Sequence, residues 1–296
     1  MRADGRMSNF IDRLEYTTEA DEFFDYCLWE YKPAGPWVGK LRSVNLLLHS
    51  FELVGVDPRF YGLVQAIRDG MGVSRTVWGL KQVGEEIRWE FYFYDYRRRA
   101  RERSITRLLD ILGPFARCGF RPDERRDYFM FSIDVDGDLA AGARALDEIH
   151  MYIGNVGSTV SSGICYSLSQ HRTRLENFYF FFDAKTQLKE IAGKIASSAV
   201  VDGSSIDLNR ILWPELRNCR VIVVANKQGN DCIYFSRITV DQLLIFLKRM
   251  NYRKELVSFV EENRSMLDHL QYDVGFDYRM EEGGLKILKS GYYGVF

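Results

Sequence analysis

The sequence predicts an α+β fold, a closed antiparallel β-barrel of about ten strands with its helices outside and a solvent-filled lumen. Three observations lead there. The first is a pair of unlike faces on strand-like runs. In "WEFYFYDYRRR", Trp89 to Arg99, six of the first eight residues are aromatic and three arginines follow. Read with a period of two, Trp89, Phe91 and Phe93 share one face, while Arg88, Glu90, Tyr92, Tyr94 and Tyr96 share the other. A strand buried on both faces reads instead as near-continuous Val, Ile and Leu. The second is a recurring unit of two strands followed by a helix, a repeat of pattern and not of identity. The third is topological. Hairpins joined by single helices favour an antiparallel sheet with helices on one side, and a sheet of about ten strands tends to curl and close.

The elements follow in order. Residues 8 to 70 read mostly helical, with apolar residues at i, i+3 and i+4 in "DEFFDYCLW" and "SVNLLLHSFELVG". "KPAGP" breaks the first and "GVDP" the second. From Gly72 the texture changes. "SRTVWGLKQV" and "EIRWEFYFYDY" form a strand pair turning at Gly84, and "SITRLLDILGPF" is a helix capped by Ser104. "DYFMFSIDV" is a strand whose partner is a short piece near "RCGF", and "DLAAGARALDEIHMYI" reads as the next helix. In that strand Phe129, Phe131 and Ile133 oppose Tyr128, Ser132 and Asp134. "SSGICYSLS" and "LENFYFFFD" flank "QHRTR", and "AKTQLKEIAGKIASS" is the helix after them. "NCRVIVVAN" and "DCIYFSRI" flank "KQGN", with the helix "TVDQLLIFLKRM" next. "LQYDVGFDYRM" and "LKILKSGYYGVF" flank "EEGG". No linker divides the chain, so 1–296 reads as one domain with a helical part over 1–71 and the repeated units over 72–296.

If the barrel closes with its helices outside, the greasy face of each strand meets the helix ring and the phenol-rich face lines the lumen. Phe178, Phe180 and Phe182 against Asn177, Tyr179 and Phe181 repeat the arrangement of Trp89–Tyr96.

This order of elements resembles the ABBA, or prenyltransferase-barrel, enzymes, and within them the cyanobactin-type peptide prenyltransferases. The residues that carry the likeness are "EIRWEFYFYD", "YFMFSIDVDGDLAAGARAL", "VIVVANKQGNDCIYFSRI" with "TVDQLL", and "GFDYRMEEGGLKILKSGYYGVF". It spans roughly 72–296 and rests on pattern, since no short signature defines the family. The resemblance implies transfer of a dimethylallyl group from its diphosphate to a side chain of Tyr, Trp or Arg type in a ribosomal, macrocyclic or linear, peptide. The same barrel acting on a small aromatic molecule, or binding a ligand without catalysis, are the alternatives.

Chemistry then assigns roles. Ionising the allylic C–O bond leaves an anion that wants Arg, Lys and phenol donors, and a cation that wants aromatic faces. Lys81, Arg88 and Lys289 are the expected diphosphate ligands, with Mg2+ accompanying the diphosphate. Tyr92, Tyr166, Tyr179, Tyr234 and Tyr293 are the expected shield of the prenyl pocket. Similar enzymes carry an acceptor-side carboxylate on the first strand of the first hairpin, where this chain has none. Glu90 on the partner strand takes its place, with Asp277 beside it, as the expected catalytic carboxylates. Asp277 and Arg279 form a further polar pair in one phase.

Composition narrows the remaining classes. The 296 residues are 46% hydrophobic and 27% charged, with a formal net charge of -1. That balance carries no footprint for nucleic acid. The chain holds 17 Tyr and 20 Phe, concentrated on the strand-like segments. Cys27, Cys118, Cys165, Cys219 and Cys232 are far apart and never in CxxC spacing, which suits a reducing cytosol. "MRADGRMSNF" lacks the apolar core of a signal peptide, and no apolar run approaches a membrane span. A soluble cytoplasmic monomer is expected. "DVDGD" (Asp134–Asp138) has Ala145 where an EF-hand needs Glu, and reads as a strand end, turn and N-cap. "GMGVSR" has Arg75 where a dinucleotide loop needs its third glycine, and no phosphate-binding GxxxxGK[ST] occurs. His49, His150, His171 and His269 show no metal spacing, with His49 and His150 on helices. Arg97–Arg99 reads as a solvated helix entrance. No two aspartates are adjacent, so the Asp clusters that bridge magnesium to prenyl diphosphates elsewhere are missing.

Overall fold

The computed structural model describes residues 13–96, 101–155, 160–202 and 206–296, so Arg97–Arg99 lie outside the described residues. Ten strands form a closed barrel in the order β1-β10-β9-β8-β7-β6-β5-β4-β3-β2. They are β1 (Thr76–Val83), β2 (Glu86–Tyr94), β3 (Met130–Val135), β4 (Ile149–Gly154), β5 (Ser162–Leu168), β6 (Thr173–Asp183), β7 (Val221–Lys227), β8 (Asp231–Ile238), β9 (Tyr272–Glu281) and β10 (Gly284–Val295). Every neighbouring pair is antiparallel, and β1 with β10 closes the seam. Gly84, at φ 60, makes the first hairpin turn.

The outward face is apolar and meets helices. α1 (Val44–Val54) and α2 (Arg59–Met71) cover the first hairpin. Trp89 is fully buried against Phe51 and Phe60, with ring centroids 5.2 and 5.0 Å away, and its Nε1–H donates to Ser50 Oγ at 2.9 Å. α3 (Ile105–Leu112) starts at Ser104, whose hydroxyl accepts from the Arg107 amide at 3.0 Å. α4 (Gly137–Ala140) is a single turn capped by Asp136, the middle residue of "DVDGD". α5 (Leu188–Ala196), α6 (Val240–Arg249), α7 (Lys254–Glu262) and α8 (Arg264–Leu267) complete the ring. Among the described residues, no helix is long and apolar enough to cross a membrane.

Three expectations are corrected. "DEFFDYCLW" is not helical but a strap of bridges and turns over one mouth of the barrel. Asp25 is the reason: its carboxylate accepts from the amides of Cys27 and Trp29, both at 2.9 Å, which satisfies the backbone without a helix. "DLAAGARALDEIHMYI" is helical only over Gly137–Ala140, because Gly142 at φ 76 turns the chain out of the helix. Its end is β4, where His150 and Tyr152 alternate with Ile149, Met151 and Ile153. "RCGF" contributes only the bridge between Cys118 and Leu146, so β4 is the true partner of β3. The strand β3 also starts at Met130, later than expected. Tyr128 therefore points outward to Glu124 at 2.5 Å, and Phe129 turns to the mouth of the barrel.

Candidate functional site

Backbone register stacks the inward residues in layers along the barrel axis. At the hairpin end lie Lys81, Glu90, Asp134, His150, Lys227, Asp277 and Lys289, each on a different strand. Lys81 contacts Glu90 and donates to Asp134 at 2.8 Å. Lys227 reaches both oxygens of Asp277 at 2.9 and 2.8 Å, Asn230 adds a bond of 2.9 Å, and Lys289 stands 3.6 Å away. Three ammonium groups thus face three carboxylates. Burial pulls Lys81 down to about 8, opposed by Asp134 and assisted by Lys289 and Lys227. Burial works against the charge of Asp277, yet Lys227 and Lys289 outweigh it and hold the carboxyl at about 2. Asp134 is held at about 2 in the same way, burial being overcome by Lys81 and His150.

The next layer is a closed ring of phenols. Tyr92, Tyr152, Tyr179, Tyr234 and Tyr293 follow one another around the lumen, with successive centroids 6.3, 5.9, 6.4, 6.3 and 5.9 Å apart. Tyr26, from the strap, closes over Tyr92 and Tyr293 at 5.0 and 4.9 Å. Glycines make the room. A Cβ on Gly79 would lie 2.6 Å from the Tyr293 ring, and one on Gly275 would lie 2.3 Å from the Tyr234 ring. Burial keeps all five phenols above the ordinary tyrosine value, so they are neutral donors.

Beyond the ring, at the end where the helices connect, is a cavity of about 290 Å³. Its walls include Tyr94, Phe129, Met130, Phe181 and Val223, and Trp29 and Tyr96 stand half-exposed at its mouth. One carboxylate lines it, Asp273, which is 4% exposed. Its Oδ2 accepts from the Tyr26 amide at 2.9 Å, and the carboxylate also accepts from the Ser236 hydroxyl.

The expected site residues separate accordingly. Lys81, Glu90, Asp277 and Lys289 come together in the charged layer, and Tyr92, Tyr179, Tyr234 and Tyr293 in the ring. Tyr166 does not join them. On β5 the inward residues are Gly163, Cys165 and Ser167, so Tyr166 faces out beside Met151 and Leu175 and packs on the outer core. Arg88 shares the inward phase with Lys81 but sits at the rim, forked to Glu86 at 2.9 and 2.8 Å. Arg279 is likewise taken by Glu281 at 2.9 and 2.6 Å. Asp277 is the counter-ion of two lysines, and the carboxylate they stabilise is a poor proton acceptor. Glu90 accepts the Tyr92 hydroxyl.

Four inward residues were missed from the sequence. Tyr152 and His150 were lost with the helix expected over β4. Lys227 ends a strand whose other inward residues, Val221, Val223 and Ala225, are apolar. Asp273 had a legible signal, since it shares the phase of Gly275 and Asp277 in "YDVGFD". Among the described residues, no three His, Cys, Asp or Glu side chains are grouped to hold a metal. These residues do not fit magnesium as a protein-bound ion. No family model matches the chain, and no curated protein matches it significantly.

Proposed function

We propose that this protein is a prenyltransferase of the ABBA type, which moves an allylic group, dimethylallyl in the simplest case, from its diphosphate to a nucleophilic side chain of a peptide. The observation that carries the reading is the order of layers: ammonium groups, then a ring of neutral phenols, then an apolar cavity with one carboxylate. In this reading the diphosphate lies against Lys81, Lys227 and Lys289. Lys289 is the most available of the three, being 3.6 Å from its carboxylate with a side chain 36% exposed. The C1–O bond breaks and both its electrons leave with the diphosphate. The allylic carbon is left between phenol faces, which stabilise positive charge without capturing it. The acceptor, in the cavity, attacks C1 from the side opposite the leaving group and gives up its proton to a carboxylate or to water. Trp29, Tyr96 and the strap shield the cavity while leaving a mouth that a peptide side chain can enter. Magnesium would enter as the counter-ion of the diphosphate and not through a protein cluster.

The balanced charged layer favours one competing reading. Three lysines already neutralised by three carboxylates describe a barrel that binds a ligand and never ionises it. Intact mass spectrometry separates the two. The protein is mixed with magnesium, dimethylallyl diphosphate and peptides offering Tyr, Trp, Arg and free termini, and diphosphate release is followed in parallel. A peptide gaining one prenyl unit with one diphosphate released is the expected result. Diphosphate analogue binding without release on any acceptor, small aromatic molecules included, would leave the silent barrel as the function.

A further inference from the structure

The strap over the helix-end mouth, residues 21–31, is built as a separate piece. Its amides at Asp25, Leu28 and Tyr31 donate to the carbonyls of Trp29, Asp25 and Phe23. Among the described residues, no backbone–backbone hydrogen bond joins it to a barrel strand. Side chains make the attachment instead. The Tyr94 and Tyr96 hydroxyls donate to the carbonyls of Tyr26 and Cys27, and the Tyr26 amide donates to Asp273. Arg237 contributes most. Its Nε donates to Asp25 at 2.7 Å, its Nη2 donates to the carbonyls of Trp29 and Glu30, both at 3.1 Å, and its charge also reaches Asp273.

Arg237 reaches the strap because β8 is irregular at that point. Ser236 pairs with Asp273 and Ile238 with Tyr272, so Arg237 is the extra residue of a bulge, which re-aims its side chain. It stands at φ 63, in the left-handed region that residues other than glycine rarely adopt, and Leu28 in the strap stands at φ 54. Backbone of that kind persists only where its contacts hold it, so loss of the ion pair favours release of the strap. What the strap covers gives the release a use. Tyr26 lines the 290 Å³ cavity and stands edge-on to Tyr92 and Tyr293 of the phenol ring. At the opposite end, the space among Lys81, Glu90, Asp277 and Lys289 is about 20 Å³, room for a single water and no passage for anything larger. A ligand bound for the phenol ring therefore has to pass Tyr26.

We propose that residues 21–31 form a lid, latched by the Asp25–Arg237 ion pair, that lifts to let an allylic diphosphate past Tyr26 and closes behind it to keep water from the phenol ring. The lid stands on the contacts of the strap; only its cargo rests on the prenyl-transfer reading. Cys27, within the strap, reports the motion. Burial, and then the charge of Asp25, push its thiol upward, so it is unreactive while the strap is down.

The test is the rate of N-ethylmaleimide labelling at each cysteine, located by peptide mass spectrometry, together with hydrogen exchange. Arg237→Gln is expected to label Cys27 about tenfold faster or more, the fold-change that loss of a charged hydrogen bond brings, with Cys118, outside the strap, at its wild-type rate. Equal Cys27 rates in the two proteins overturn the latch. The wild type is tested without any variant. Its Leu28 and Tyr31 amides are expected to exchange about a hundredfold faster or more than the Leu80 amide in the seam between β1 and β10. Strap amides that exchange no faster than the seam open only by global unfolding, which overturns the lid whatever the variant does. Diphosphate release from dimethylallyl diphosphate is measured against peptide prenylation alongside. Arg237→Gln is expected to raise the release per prenylated peptide, because water reaches the allylic carbon under a loose lid. If the wild type prenylates while the release ratio and Cys27 labelling are the same in the variant, the lid fails and prenyl transfer stands. If no donor binds or is consumed while Cys27 labelling and strap exchange behave as expected, the lid stands and the prenyl-transfer reading fails.

Discussion

Asp273 is the residue on which structure and chemistry disagree most, and that disagreement has a thermodynamic consequence. Its carboxyl titrates near 3.8 in the unfolded chain and at about 7 when folded, the rise coming first from burial and then from Asp25. A folded value above the unfolded one means that the native state binds the extra proton. Stability from this group is therefore complete below about pH 4 and is lost as pH rises towards 7. D273N, which keeps an acceptor for the Tyr26 amide, removes that loss. Its melting temperature is expected to exceed the wild type by roughly 2–6 °C at pH 8, with a smaller gain at pH 5. Differential scanning calorimetry at the two values checks it, and a gain that does not grow with pH would remove the buried charge as the cause. Asp134 and Asp277 run the other way. Their carboxyls are depressed, so their contribution is present at neutral pH and fades only as pH falls towards 2.

Individual strands decide how the layers are filled. Alternation within β2 and β6 was legible from the sequence, because Trp89, Phe91 and Phe93, or Phe180 and Phe182, are large apolar residues at every second place. β10 was not, and the reason is a bulge between Ile287 and Lys289 that changes phase midway and returns Lys289 to the lumen opposite Asp277. Tyr166 was misplaced by a related cause. An aromatic residue reads the same on either face, and only pairing with Met151 and Leu175 settles which face it takes. Glycines are the strand positions with the sharpest consequence. Substituting Ala at Gly275 puts a Cβ 2.3 Å from the Tyr234 ring and 2.9 Å from the Ile233 carbonyl oxygen. Because backbone as well as ring must shift, Gly275→Ala is expected to cost about 1–3 kcal/mol. The readout is the urea midpoint at unchanged m-value, and a variant as stable as wild type would mean that Tyr234 moves freely.

The whole molecule depends on closure. β1 and β10 pair over Val77–Gln82, joining segments that are more than two-thirds of the chain apart, and without that seam the sheet has two open edges. The seam also brings Lys81, on β1, into the same layer as Lys289, on β10. Deleting residues 284–296 is expected to abolish cooperative unfolding and to give aggregates, measured by thermal denaturation and size-exclusion chromatography. A monomeric product with a sharp transition would show that the barrel tolerates an open edge.

What the sequence determined alone is most of the architecture: the strand pairs that turn at Gly84, "QHRTR", "KQGN" and "EEGG", and the two unlike faces of strands such as β2 and β6. These are local properties, set by periodicity and turn chemistry over a few residues, so they survive without a structure. It also placed Lys81, Glu90, Tyr92, Tyr179 and Tyr234 in the inward phase, while on the last strand it showed only that Lys289 and Tyr293 share a phase. Only the tertiary structure decided which charges face each other, because ion pairing between strands depends on register and closure. That is why Lys227 and Asp277 appeared as separate residues, and why Asp25 and Asp273 were not seen to share Arg237. The strap of residues 21–31 is the clearest case. Its apolar spacing is helical, but Asp25 takes the nearby amides of Cys27 and Trp29, and Arg237, 212 residues on, reaches Asp25 only when the barrel mouth is formed.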